Sequence, residues 1–381
     1  MAGRTVDLLA AGPAPVDPYE PAAAAWALAE GLRDRGCAVR VLFPGGAGDA
    51  APPDGIDALA VELPIRRPGA AVEPADFAHA ASRRVRPDAE LVLRDPSGLG
   101  RLSLSHRGGV RSIDAIVRAV HLGEFDRERA RRRPNGLLDR VDVWRDRRAV
   151  RRLEKEALDE ADRIFCDAPT LADELAHAYR LPRDAIVPTV PPVSVTGAPP
   201  AREAARAALG LPIDVPVVAA IASSENPDDA GVDRAREAFR RIRPLFPGVR
   251  LVIAGADAPV EPGVHAAPER HRSVVVGALA AADVALFAPR VAGFDPGLVL
   301  ALRQGVAPVA LPTARLPFDA GAAVRTVASD DPGELSSAVA ELVADLAQRR
   351  ALGARGPAVA ARFLPSAVAE ELLRAPVPAT A

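Results

Sequence analysis

Short apolar runs alternate with amphipathic stretches along nearly the whole chain, and this alternation narrows the fold more than any other feature. In the first half, Val6–Ala10, Val39–Phe43, Leu91–Leu93, Ile116–Val120 and Ile164–Cys166 read as buried strands. Between them, Pro21 opens a helix over Ala22–Arg35 that Gly36 closes, and Thr170–Tyr179 forms another. The arginine-rich stretch from Arg127 to Arg163 carries both signs of charge and reads as a solvated helix, with Leu153, Ala157 and Ala161 as its buried stripe. The second half repeats the pattern. Strands are expected at Val215–Ile221, Val249–Ala254, Val284–Phe287 and Ala307–Leu311. A helix over Gly231–Arg243 places Val232, Ala235, Phe239 and Ile242 on one face, and a shorter one spans Pro296–Gln304. Continuous apolar strands separated by helices imply an α/β protein with a parallel, doubly wound sheet in each half.

A chain of 381 residues suggests two domains. The boundary lies at Pro188–Pro200, where five prolines with Ser, Thr and Gly between them read as an extended linker. The expected domains are therefore residues 1–187 and 201–360, joined by 188–200. Residues 361–381 supply a closing helix and tail.

The net charge of −2 gives no bulk attraction to nucleic acid or to an anionic membrane. Aromatic residues make up only 4%, too few for a base-stacking surface, so no nucleic-acid partner is expected. Lys155 is the only lysine, and the preference for arginine reads as compositional bias rather than phosphate recognition. Cys37 and Cys166 stand far apart in apolar contexts and read as buried free thiols. No metal-ligand spacing and no phosphate-binding loop appear, so neither a metal nor a bound cofactor is expected. No run reaches membrane-spanning length, and the N-terminus lacks a signal-like apolar segment, so a cytoplasmic protein is expected.

Five segments carry a family resemblance. Ala282–Phe294, running on to Gly305–Val309, follows the pattern "aADvfvlPS-x-x-EGFGLxxxEAxAxGxPVV". Arg152–Ile164 follows "lE-x-x-al-x-xAdrvi", Ala230–Phe239 follows "KGvdllleAf", Pro247–Gly255 follows "pdvrLvivG", and Asp331–Leu335 follows "dpeeLa". Together and in this order, they resemble the retaining family 4 glycosyltransferases of the GT-B fold. The resemblance implies two Rossmann-like domains facing across a cleft, with the last helix, Pro365–Leu373, crossing back to the first domain. It also implies transfer from a nucleotide-diphosphate sugar to a small-molecule or glycan acceptor.

The scaffold of that pattern is present, but its charged ligands are not. The family's two glutamates fall at Ala292 and Leu300, its arginine in Ala222-Ser223-Ser224, and its lysine at Ala230. Glu225, Asp228 and Asp229 stand where the cations are expected. Ser223, Ser224, Arg290, Gly293, Phe294 and Gly297 are the positions that the resemblance assigns to donor binding. Val274-Val275-Val276-Gly277 takes the place of the family's strand and runs almost directly into Ala280, so much of the base-binding segment is expected to be missing. The glycine pair of the first domain is replaced by Gly12–Glu20. "NGvD" is replaced by Pro188–Pro191.

Two residues are candidate catalytic groups. Val120-His121 matches a strand end where the family's histidine reaches the transferred sugar, with His106, Arg107, Arg94 and Asp95 as a candidate rim. Asp295 stands three positions past the lost glutamate. Its routine role is structural: Asp295-Pro296 reads as an N-cap with proline in the first turn, and Gly305 as the C-terminal stop. Two functions stay open: a divergent glycosyltransferase, and a non-catalytic homologue acting as partner or regulator of an active one.

Overall fold

The computed structural model describes residues 3–10, 12–15, 22–45, 51–62, 77, 80–81, 83–86, 89–94, 112–117, 155, 158–159, 161–166, 169–194, 197–222, 231–269, 271–290, 294–314 and 320–375. The chain divides into two compact units. Met1–Pro15, Glu20–Ser194 and Leu364–Ala381 form the first, and the second is built on Val195–Phe363.

The first unit holds β1 (Thr5–Leu9), α1 (Ala23–Asp34), β2 (Ala38–Pro44), β3 (Asp57–Val61), β4 (Glu90–Arg94), β5 (Ser112–Val117), β6 (Arg163–Cys166), α2 (Pro169–Tyr179) and β7 (Ile186–Pro188). Its seven strands form one sheet in the order β3-β2-β1-β4-β5-β6-β7, and all pairings are parallel. Strand order reverses between β1 and β4, the hallmark of a doubly wound sheet. Asp7, fully buried in β1, is held by Arg40 (2.7 Å), Arg86 (2.8 Å) and the Arg86 amide (2.6 Å). Such a charge tolerates burial only because each oxygen has donors. Cys37 and Cys166 are both buried and unbridged, and burial pushes the Cys37 thiol up.

The second unit comprises α3 (Arg202–Ala208), β8 (Val217–Ile221), α4 (Val232–Ile242), β9 (Arg250–Ala254), β10 (Val264–Ala267), α5 (Arg272–Ala281), β11 (Val284–Phe287), α6 (Pro296–Gln304), β12 (Ala307–Ala310), β13 (Arg325–Thr326), α7 (Pro332–Ala344) and α8 (Leu346–Ala360). Its six parallel strands run β10-β9-β8-β11-β12-β13. β8, β11 and β12 are buried along their full length, as strands covered by helices on both faces must be. α4 buries Val232, Ala235, Ala238, Phe239 and Ile242 on one stripe, close to the face expected from periodicity. Burying a side chain the size of Phe239 stabilises by about 1.5–3 kcal/mol.

The closing helix α9 (Pro365–Arg374) belongs to the first unit and packs on α1. Gly31 permits the contact, because any Cβ there would collide with the Pro365 backbone. Arg163 then donates to the carbonyls of Leu372 (3.0 Å) and Ala375 (2.9 Å), satisfying the C-terminal end of α9.

Several expectations need correction. Val274–Gly277 is not a strand but the middle of α5, which His271 caps by accepting from the Ser273 amide at 3.3 Å. The strand of this region is β10, a short mixed run paired to β9. Both a strand and a small helix are thus present in this region. The valine run is helical because Val275, Ala278 and Leu279 are buried together, and packing overrides β propensity. β5 begins at Ser112 rather than Ile116. In the arginine-rich stretch, Leu158 is buried and Ala161 packs beside it, whereas Leu153 and Ala157 lie outside the described residues. β3, β7 and β13 were not anticipated. Within the proline-rich segment, Thr189–Ser194 are buried.

Candidate functional site

In an open parallel sheet, ligands bind beyond the carboxyl ends of the strands at the point where strand order reverses. In the second unit that point lies between β8 and β11. The elements meeting there are the ends of β8 and β11 and the N-termini of α4 and α6.

The α4 N-terminus is fixed by Gly231, which adopts φ 72° and lies against the Ala288 carbonyl at the end of β11. An L side chain would be strained by the angle and would also collide with that carbonyl. Asp233, in the first turn of α4, forms an ion pair with Arg290. Arg234 donates to the Pro289 carbonyl at 3.2 Å and pairs with Asp330 at 2.6 Å. Thr313 Oγ1 donates to the same carbonyl at 2.7 Å. The segment after β11 is therefore tied down from three directions, and Arg290 and Arg234 each face a carboxylate.

The α6 N-terminus is closed by its own chain. Asp295 is its N-cap, as the Asp-Pro pair implies, and is only 2% exposed. Its Oδ1 accepts from the Gly297 amide at 2.8 Å, and its carbonyl accepts from the Leu298 amide at 3.0 Å. Pro296 has no amide hydrogen. The first-turn donors that would otherwise meet an anion are absent or occupied. Gly305 ends the helix at φ 69°, the left-handed stop expected for it. Phe294 stacks on Phe363 with ring centroids 5.7 Å apart. Leu300 is 1% exposed and belongs to the core.

The structure thus brings Arg290, Phe294, Asp295 and Gly297 to the carboxyl edge of the second sheet. His121, Ser223, Ser224, Gly293 and Ala292 lie outside the described residues, as do Asp95, His106 and Arg107; Arg94 ends β4. Among the described residues, no group of three or more His, Cys, Asp or Glu is placed to hold a metal ion. Nor is any described helix long and apolar enough to cross a membrane. Asp233 was missed by sequence reasoning. It stands 57 residues from Arg290, and only its place in the first turn after Gly231 hints at this edge.

Residues 22–194 match the family model described as Glycosyltransferase Family 4. Among solved structures, the chain is similar to WaaG, a glycosyltransferase involved in lipopolysaccharide biosynthesis, with a TM-score of 0.69, 16% identity, and coverage of 96% of this chain and 98% of that one. It is also similar to sucrose-phosphate synthase from Thermosynechococcus elongatus, with a TM-score of 0.68, 15% identity, and coverage of 98% of both chains. A third similar structure is the catalytic domain of starch synthase IV from Arabidopsis thaliana bound to ADP and acarbose, with a TM-score of 0.65, 14% identity, and coverage of 97% of this chain and 100% of that one. No curated protein sequence matches. The chain has the GT-B fold of glycosyltransferases, and its first unit carries the family 4 match.

Proposed function

We propose that this glycosyltransferase-type protein has a donor edge that no longer holds a sugar nucleotide with ordinary affinity, and that it acts as partner or regulator of an active glycosyltransferase. One observation carries the reading: the α6 N-terminus is capped by Asp295, whose buried carboxylate takes the Gly297 amide. A diphosphate arriving there meets a carboxylate instead of free N–H groups. The paired state of Arg290 and Arg234 and the burial of Leu300 support the same conclusion. The proposed setting is the cytoplasm, where the unbridged thiols of Cys37 and Cys166 would persist.

A second reading rests on Arg290, which stays 45% exposed at this edge and is paired only to an exposed Asp233. A diphosphate that displaced Asp233 would gain a bidentate cation, and the protein would be a divergent glycosyltransferase acting on an unknown acceptor. Isothermal titration with UDP, GDP, ADP and dTDP separates the two. Each lost charge-assisted hydrogen bond costs roughly 1.5–3 kcal/mol, so two losses leave affinity at millimolar or weaker. Micromolar binding that disappears in Arg290→Ala would overturn the proposal in favour of the second reading.

A further inference from the structure

The opposite, amino edge of the second sheet carries a pocket of about 560 Å³. It is lined by the residues that precede β11 and β12, among them Ala282, Asp283 and Val306, and by the start of α8. Three guanidiniums, Arg202, Arg349 and Arg350, face it with a single carboxylate, Asp283.

That carboxylate is saturated. Its Oδ1 meets Arg202 at 2.7 Å and Arg349 at 3.5 Å, while its Oδ2 meets the buried Arg206 at 2.9 Å and the Val217 amide at 2.9 Å. Arg206 donates further to the Ala281 and Val215 carbonyls at 3.0 and 2.9 Å, and Arg349 to the Leu342 carbonyl at 2.8 Å. These two arginines are structural, since they satisfy helix and strand ends. The other two are not fully used. Arg202 gives one nitrogen to Asp283 and another, at the long distance of 3.5 Å, to the Ala282 carbonyl, and its side chain stays 47% exposed. Arg350 has no hydrogen-bond or ion-pair partner among the described residues. Asp345 makes no ion pair with it; its carboxylate caps α8 by accepting from the Gln348 amide at 2.9 Å.

Gln304 adds a further polar group. It lines the pocket, and its Oε1 is buried without a partner among the described residues. A half-turn of the amide presents either its oxygen or its NH₂ to a ligand. Pro199, Pro200 and Leu346 supply an apolar wall. The volume suits a small organic molecule. The excess of guanidinium donors suits a phosphate dianion, which takes parallel N–H bonds from arginine.

We propose that this pocket binds a phosphate monoester through Arg350 and Arg202, with the organic part of the ester against Pro199, Pro200 and Leu346. The site lies at the strand edge opposite the donor edge and does not depend on how that edge functions.

The test is titration of the full-length protein at low salt with glucose 6-phosphate, glucose, inorganic phosphate and vesicles containing phosphatidic acid. Glucose 6-phosphate should bind, glucose should not, and Arg350→Ala should weaken binding about ten- to a hundredfold, the size of a charge-assisted contact. Arg202→Ala should weaken it less, and Arg290→Ala not at all. Arg350 has no partner among the described residues, so its removal should leave the fold intact, which an unchanged thermal transition would verify. Vesicle binding that requires Arg350, without binding of the soluble ester, would support the site and assign its anion to a lipid headgroup. Inorganic phosphate binding as tightly as the ester would overturn the monoester assignment. Silence of every phosphate probe, or binding unchanged in both Arg350→Ala and Arg202→Ala, would overturn the site itself.

Discussion

At the carboxyl edge of the second sheet, Arg290 faces Asp233, Arg234 faces Asp330, and the α6 N-terminus faces Asp295. At the amino edge, Arg202, Arg206 and Arg349 share Asp283, and Arg350 is left over. The two edges belong to the same sheet and draw on the same arginine-rich composition, yet their charge is inverted relative to what a sugar-nucleotide enzyme requires. Where an anion is expected, the protein has installed its own carboxylates. Where none is expected, Arg350 stands without a carboxylate partner among the described residues and Arg202 stays half exposed. Net charge cannot reveal this; only the partner of each guanidinium does.

The largest expected effect lies at the amino edge. Asp283→Ala leaves Arg206, 1% exposed, without its counterion, and stability should fall by about 3–5 kcal/mol in chemical denaturation. A loss below about 1 kcal/mol would show that carbonyls alone satisfy Arg206, and the two edges would then differ less than their ion pairs suggest.

Asp295→Ala should cost about 0.5–2 kcal/mol, the usual worth of an N-cap, while freeing the Gly297 amide. The comparison sharpens if nucleoside diphosphates then bind more tightly than to the parent protein, because the cap is what closes that edge. Weaker nucleotide binding in the variant would instead make Asp295 a ligand.

Arg290→Ala should change stability by no more than about 1 kcal/mol, since both partners of its ion pair are roughly half exposed and screened by solvent. A larger loss would mean that the pair is a structural tie and not a surface contact.

Much of this was legible in the sequence, because it is encoded locally. The α4 stripe, the Asp295-Pro296 start and Gly305 stop of α6, and the apolar runs of β8, β9, β11 and β12 each fall within a few residues. Edge strands were not. β3 carries a mostly exposed run, and β7 has three residues inside a proline-rich segment, so neither shows buried-strand character. Val274–Val276 misled because β-branched composition is a weaker determinant than the packing of α5 against its neighbours. Neither ion-pair system was visible. Arg206 and Asp283 stand 77 residues apart, and among so many arginines no spacing singles out the partners.

The most direct test is to soak crystals in tungstate, an oxyanion that mimics phosphate and is located by its anomalous scattering. A peak is expected beside Arg202 and Arg350 and none at the N-terminus of α6. A peak between Arg290 and the Gly297 amide, with the amino-edge pocket empty, would contradict this expectation.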